Sequence, residues 1–271
     1  VATWWKTAEW VAGLSSRKGA KAFFIQHHEV FDYLPVDRVR ATWRLPLHKI
    51  TISKWLVDLA ADTYGDRDVS LVLNSVDTDQ FHAPPRPRNE RPTVGLMYST
   101  VPWKGCNVSL RAIEQATNQI KNLHLVAFGA EPVSRDLPLP GASTFHHRPA
   151  QDTIRDLYAQ CDVWLCGSFA EGFHLPPLEA MACRCPVVST RVGGPIDVIH
   201  EGVNGYTVPV GESDALAQRL VDVLRLDDVG WRAMSDAAHD TATRYTWDDA
   251  AALFERGLEI AIAKSRRRAS A

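Results

Sequence analysis

Apolar and polar positions along the chain follow two periods. In residues 1–14, Val1, Trp4, Ala8, Val11 and Ala12 share one helical face and Gly13 offers a stop, so the spacing predicts a first helix there. Residues 22–26 and 49–52 read as strands. Ser53 is placed to cap a helix over 54–64 that Gly65 ends, and 69–73 reads as a third strand. A second series predicts strands over 94–98, 123–128, 143–145, 163–166, 187–189 and 206–208. Its helices are expected over 107–120, 152–160, 176–183 and 195–200. Helices over 214–224, 231–244 and 247–263 close the chain, the first with the stripe Leu216, Leu220, Leu224. Strands alternating with helices argue for a parallel sheet with helices on both faces. The continuously apolar runs LHLVAF and DVWLC agree, because both faces of such a sheet are covered.

Between the two series lies the run HAPPRPRNERP, residues 82–92. Prolines lack an amide donor and lock the backbone, so this run is expected to be neither helix nor central strand but a linker. The expected organisation is a first domain over 1–85, a second over 86–245, and a closing helix with a basic tail over 246–271.

Composition narrows the class. Of 271 residues, 45% are apolar and 23% charged, which excludes a disordered chain, a coiled coil and a collagen-like repeat. The net charge of −2 gives no electrostatic case for a nucleic-acid partner. No apolar run approaches the ~18 residues of a membrane span, and no signal peptide is visible. Five cysteines without CxxC spacing read as reduced thiols of a cytoplasmic protein. Of nine tryptophans, Trp4, Trp5, Trp10, Trp43 and Trp55 fall early, as a packed core, an interface or a stacking surface. The run KSRRR at 264–268 reads as a solvated end, or as a weak attraction to an anionic membrane face.

The informative turn follows the strand at 163–166. It reads GSFAEGFHLPPLEA from Gly167 to Ala180. Pro176 or Pro177 suits the first helical position. The amides of Gly172, Phe173, His174 and Leu175 would then face outward at a positive helix end, a ready site for phosphate. Glu171 precedes that helix and Glu179 lies about one turn inside it. Two carboxylates beside a phosphate nest suit a ligand both anionic and rich in hydroxyls.

This run resembles the family 4 glycosyltransferases, of GT-B fold, whose signature is two glutamates separated by seven residues. Here it is EGFHLPPLE, residues 171–179, followed by Ala180-Met181-Ala182-Cys183, Pro186-Val187-Val188, Gly193-Gly194 and Asn204-Gly205. Upstream, Asn74-Ser75-Val76-Asp77 with Phe81 resembles the end of the family's first domain. The likeness runs from about Phe23 to Phe254. It implies two Rossmann-like domains, a retaining hexosyltransferase activity and a nucleoside-diphosphate sugar donor, with no cofactor or metal. A glycan, a lipid-linked group or a small molecule would be the acceptor. Carried over to this chain, the first glutamate holds the transferred sugar, which falls on Glu171. The second binds the nucleotide ribose, which falls on Glu179. A lysine before glycine neutralises the leaving diphosphate, which falls on Lys104. Either His27 or His28 matches the family's histidine near the sugar. The wording Phe-Phe-Ile-Gln and Ile-Ser-Lys-Trp-Leu resembles rhamnosyltransferases of polysaccharide biosynthesis.

The chain also departs from the family. Ser99 stands where many relatives have a phosphate-binding arginine, His174 where glycine is frequent, and Arg184 where glycine is usual. Two DxD runs, Asp66-Arg67-Asp68 and Asp77-Thr78-Asp79, match the pattern of metal-dependent GT-A enzymes, although Asp77 suits the interdomain turn better. Residues 1–81 supply the later part of a first domain. From this follow the expectations of an unpaired sheet edge, exposed Trp4, Trp5 and Trp10, self-association or a missing N-terminal segment. The competing reading is a non-catalytic nucleotide-sugar-binding subunit that needs another chain. An enzyme on this reading is cytoplasmic, at most peripheral to the inner membrane face.

Overall fold

The computed structural model describes residues 1–270, with side chains through Arg267; Arg268 of the expected basic tail therefore lies outside the described side chains. The chain divides into two compact units: Val1–Asn74 with Trp247–Ala271, and Ser75–Thr246. No helix among the described residues is long and apolar enough to cross a membrane.

The first unit runs α1 (Trp5–Gly13), β1 (Ala22–Ile25), α2 (Val36–Thr42), β2 (His48–Thr51), α3 (Lys54–Tyr64) and β3 (Val69–Leu71). Its sheet is parallel in the order β1-β2-β3, with Phe24 opposite Ile50 and Ile50 opposite Ser70. The first helix starts later than its periodicity predicts. Thr7 Oγ1 accepts from the Trp4 amide at 3.0 Å and Glu29 Oε2 from the Trp5 amide at 3.1 Å, so orphan donors of the first turn are met there. Ahead of it Ala2 is extended and pairs parallel to Phe23, its amide donating to the Ala22 carbonyl at 2.9 Å. The outer edge of β1, expected bare, thus carries this short pairing. Trp5 is buried, against expectation, with the Arg38 guanidinium 5.3 Å from its ring, whereas Trp4 and Trp10 are exposed. Gly65, at φ +70, closes α3 as expected.

The helix Trp247–Ser270 completes this unit. Phe254 meets Phe24 edge-on at 5.1 Å, and a β-carbon at Gly257 would lie 2.9 Å from Ile50 Cδ1, so this glycine lets the helix approach the sheet. The helix runs through the expected tail. Lys264 is not a loose solvated charge: its Nζ lies 2.5 Å from Asp68 Oδ2 and 2.8 Å from His48 Nδ1.

The second unit runs β4 (Thr93–Met97), α4 (Cys106–Thr117), β5 (His124–Gly129), β6 (Ser143–His147), α5 (Ile154–Ala159), β7 (Val163–Cys166), α6 (Leu175–Ala182), β8 (Val187–Thr190), α7 (Pro195–Val198), β9 (Gly205–Val208), α8 (Ser213–Leu224) and α9 (Asp228–Thr243). All six strands are parallel, in the order β6-β5-β4-β7-β8-β9. Val94, Leu96, Leu125 and Leu165 pack against Ile113 and Ala116 of α4 and Leu216 and Leu220 of α8. Connections leave β4 toward one side of the sheet and β7 toward the other. The crevice beyond their carboxyl ends is the topological switch point, where doubly wound sheets bind ligands.

The proline-rich run, expected as a linker, is strapped to the second unit. Arg86 donates to the carbonyls of Ala159 and Cys161 and pairs with the fully buried Asp162 at 3.2 Å. Arg88 donates to the Leu224 carbonyl at 2.6 Å. Both arginines thus meet the carbonyl-rich ends of helices, where cations are favoured.

Candidate functional site

The loops after β4 and β7 meet by backbone. Gly105, at φ +58, ends the loop after β4, and a β-carbon there would lie 1.8 Å from the Gly167 carbonyl oxygen. That approach brings Lys104 and Glu171 together from the two sides of the switch point. Lys104 Nζ donates to both Glu171 oxygens at 3.0 Å, and Ser168 Oγ donates to Oε1 at 2.8 Å. Glu171 is about nine-tenths buried and Lys104 about a quarter exposed, so the pair sits in a mouth open on the lysine side. Ser168 is itself held through its carbonyl, which accepts from Thr190 Oγ1 at 2.6 Å.

His174 joins this pair. It caps α6 in the left-handed region, φ +75, with Nε2 3.7 Å from Glu171 Oε1. Burial pushes its pKa down to about 4, opposed by Glu171 and aided by Lys104. Pro176 follows inside the first turn of α6, as the sequence suggests. Phe173 is a structural anchor by its side chain, which is buried, and its carbonyl accepts from the Gly194 amide at 2.5 Å. Gly193, at φ +51, is required there because a β-carbon would lie 2.8 Å from the Phe173 oxygen and 3.1 Å from Glu171 Cβ. Gly172 is buried in the same loop and Leu175 is half-buried.

Glu179 projects from α6 and accepts from the Tyr158 hydroxyl at 2.7 Å. Burial raises its pKa, against the pull of that bond. Tyr158 is completely buried, 4.5 Å from the Trp164 ring and 5.7 Å from Phe128. Ser99 lies apart from the Lys104–Glu171 pair. Its Oγ accepts from the Val101 amide at 3.2 Å, and it lines a neighbouring open cavity of about 460 Å³ with Cys106, Asn107 and Phe169. His27 and His28 belong to the first unit, just past the carboxyl end of β1. His28 Nε2 and the Tyr64 hydroxyl share a hydrogen bond at 2.7 Å, and burial, with His27 and Arg40, lowers its pKa to about 4. Ser168 and Tyr158 are the members that sequence reading misses. Ser168 lies one step inside the turn already singled out, whereas nothing local marks Tyr158.

The remaining candidates resolve into structure. Asp66 pairs with the buried Lys49 at 2.5 Å, and Asp68 with Lys264. Asp77 caps its own turn, accepting from the amides of Asp79 and Gln80. Among the described residues no three His, Cys, Asp or Glu side chains converge as metal ligands, and all five cysteines are buried thiols. Arg184, where glycine was expected, holds a positive φ of 63 and bonds Asp236 and the Ala83 carbonyl.

Known proteins resemble this chain in sequence and in fold. Over 224 residues the chain is 30% identical to the D-inositol 3-phosphate glycosyltransferase 2 of Catenulispora acidiphila, covering 70% of this chain and 51% of that protein. The sucrose-phosphate synthase of Thermosynechococcus elongatus superposes with a TM-score of 0.74 at 18% identity, over 99% of this chain and 73% of its own. HepE of Anabaena, solved with UDP-glucose, superposes with a TM-score of 0.69 at 20% identity, over 88% and 71%. These likenesses show a shared GT-B fold of Rossmann-like α/β units. The chain spans between 10% and 51% of the length of the curated relatives it matches. The family model of group 1 glycosyl transferases covers residues 91–226, the sheet and both glutamates included, and the chain belongs to that family.

Proposed function

We propose that the second unit binds a nucleoside-diphosphate sugar and that the chain serves a retaining transfer of that sugar to a glycan, lipid-linked or small-molecule acceptor. The observation that carries this reading is the pair at the switch point, a cation and a buried carboxylate held 3.0 Å apart by two loops. Lys104 takes the diphosphate, and Glu171 accepts from a hydroxyl of the transferred sugar. Glu179 accepts from the ribose hydroxyls. The amides of Gly172, Phe173, His174 and Leu175, at the positive end of α6, face the phosphates. In the transfer, the bond from the anomeric carbon to the phosphate oxygen breaks, one to the acceptor oxygen forms, and the acceptor hydroxyl gives its proton to the departing phosphate oxygen. The charge left on the diphosphate is met by Lys104 rather than by a metal. Ser99 adds a hydroxyl but no charge. Either His27 or His28 of the first unit is a candidate for the histidine near the sugar, and His28 is oriented by Tyr64. The nucleotide donor is supported by the Anabaena neighbour solved with UDP-glucose.

The fraction of its relatives that the chain spans favours one second reading, in which this chain binds the donor and transfer needs further residues. One experiment addresses both. Calorimetric titration with UDP-glucose, UDP-N-acetylglucosamine, GDP-mannose and dTDP-rhamnose, with EDTA present, is followed by an assay of donor hydrolysis. Binding with slow hydrolysis in EDTA supports the enzyme, and binding without any turnover supports the second reading. If none of the four binds, the donor-site assignment is wrong.

A further inference from the structure

His174 occupies a backbone conformation that glycine adopts more cheaply. At φ +75 and ψ 81 its β-carbon is sterically penalised, so this side chain is retained at a cost. The ring is nine-tenths buried, and its Nδ1 has no hydrogen-bond partner among the described residues. Its Nε2 faces Glu171 Oε1 at 3.7 Å, beyond hydrogen-bond range. A buried ring held just short of a carboxylate, in a strained conformation, is poised rather than engaged.

We propose that His174 is a positioning residue that takes hold of Glu171 when a bound diphosphate draws Lys104 away, an inference that rests on the donor-site reading above. In the present arrangement the two oxygens of Glu171 share one ammonium group, and Oε1 also accepts from Ser168. A diphosphate carries more negative charge than a carboxylate and competes for that ammonium. Once Lys104 turns to it, Glu171 keeps only the Ser168 hydroxyl in a buried place, where an under-satisfied carboxylate is costly. Closing the gap by roughly 0.7 Å brings Nε2–H into bonding range of Oε1. The carboxylate favours the tautomer with its proton on Nε2, so a neutral ring suffices and no proton need transfer. The titratable groups that face His174 are Glu171 and Lys104; the glycine pair 193–194 beneath the loop adds no charge. Burial first, and Lys104 after it, hold a proton off the ring, so the departure of Lys104 works in favour of the new bond. Glu171 thereby keeps its orientation toward the sugar while its counter-ion is in use.

The test is nitrogen-15 histidine NMR on the whole chain. The His174 signal is assigned by its loss in His174→Gly, a change the positive φ tolerates. UDP, GDP and ADP are added in turn at millimolar concentration to the wild type. Lys104→Met is recorded without ligand, since it removes the ammonium permanently. The expected result is a His174 Nε2–H signal that moves downfield and resists solvent exchange with a bound diphosphate, and that already does so in free Lys104→Met. Lys104→Gln repeats that arm should the methionine variant fold poorly. An unmoved signal in both arms overturns the proposal, and does so even if a diphosphate binds. Failure of all three diphosphates to bind, with the variant arm still positive, would instead remove the donor-site reading and leave the exchange between Lys104 and His174 standing.

Discussion

Lys104 Nζ lies 3.0 Å from each carboxylate oxygen of Glu171, across 67 positions of sequence. The two residues come from loops on opposite sides of the strand-order reversal, and no local signal in either loop brings them together. The contact between Gly105 and Gly167 does so. The site is therefore as stable as that backbone approach.

The two glutamates should fail differently. Glu179→Ala is expected to weaken nucleotide binding by about 1–3 kcal/mol, the usual loss for a hydrogen bond to a charged group. It also leaves the Tyr158 hydroxyl, buried and at 2.7 Å from the lost carboxylate, without its acceptor. Glu171→Ala should spare the binding of free nucleotide, even strengthen it slightly by releasing Lys104, and suppress transfer or hydrolysis. Calorimetry with UDP beside a turnover assay separates these effects. Equal losses of nucleotide affinity in both variants would contradict the division of roles.

Gly193 should not tolerate a side chain. Its φ of +51 disfavours any β-carbon, and one placed there meets the Phe173 carbonyl at 2.8 Å and Glu171 Cβ at 3.1 Å. Gly193→Ala is expected to cost about 1–3 kcal/mol of stability and to displace the Glu171 loop, so affinity for a nucleotide sugar should drop with it. Urea unfolding and donor titration on the same preparation check this. Unchanged values in both would mean the loop is softer than its contacts indicate.

Acid should destabilise the chain through its buried histidines. The folded-state pKa of His174 is held to about 4, below the ordinary 6.5, so the unfolded chain binds the proton first. Its contribution is fully present above about 6.5 and is lost as pH falls toward 4. Such a group adds a slope of up to about 1.4 kcal/mol per pH unit in that window. His28, pushed down to about 4, acts in the same direction, and so does His48. Denaturant unfolding between pH 7 and 4 should show a shallower slope for His174→Gly than for the wild type. Parallel curves would mean that the ring already titrates normally in the folded chain.

Where local signals were strong, the sequence was read to the residue. Gly65 and the run 54–64 gave α3 its bounds, and the apolar run at 163–166 gave β7. Helix α2 escaped, though Pro35 and the spacing Val36, Val39, Thr42 mark one short helical face. The glutamate run and Lys104 were legible because each sits in a turn with its own signature. Ser168 and Tyr158 were not, since their roles arise only when β7 and α5 are set beside the loop. Trp5 looked exposed because its burial depends on Arg38 and on packing from elsewhere in the unit. The proline run likewise read as a linker because its partners, Asp162 and the ends of α5 and α8, lie more than 70 positions away.

That run yields the last prediction. Asp162 is fully buried, and its two oxygens accept from the amides of Asn89 and Thr93 and from Arg86. Arg86 also lies 4.5 Å from the ring of Trp231, whose indole N–H donates to the Asp162 carbonyl at 2.8 Å. The strap and the start of β4 are thus tied through the Asp162 carboxylate, and helix α9 through the carbonyl of the same residue. Arg86→Ala removes the only side-chain cation paired with that carboxylate among the described residues and loosens the strap, which Arg88 and Asn89 still hold. Breaking a buried pair from one side costs about 3–5 kcal/mol, and the two remaining amide bonds should hold the loss near the lower end. Arg86→Met keeps part of the stem over Trp231 and should fall between the alanine variant and the wild type. Arg86 does not touch Lys104, Glu171 or His174, so nucleotide affinity, measured where the variants are still folded, should not change. A loss of affinity with normal stability would show that the strap belongs to the binding site, and that its fastening to the second unit is incidental.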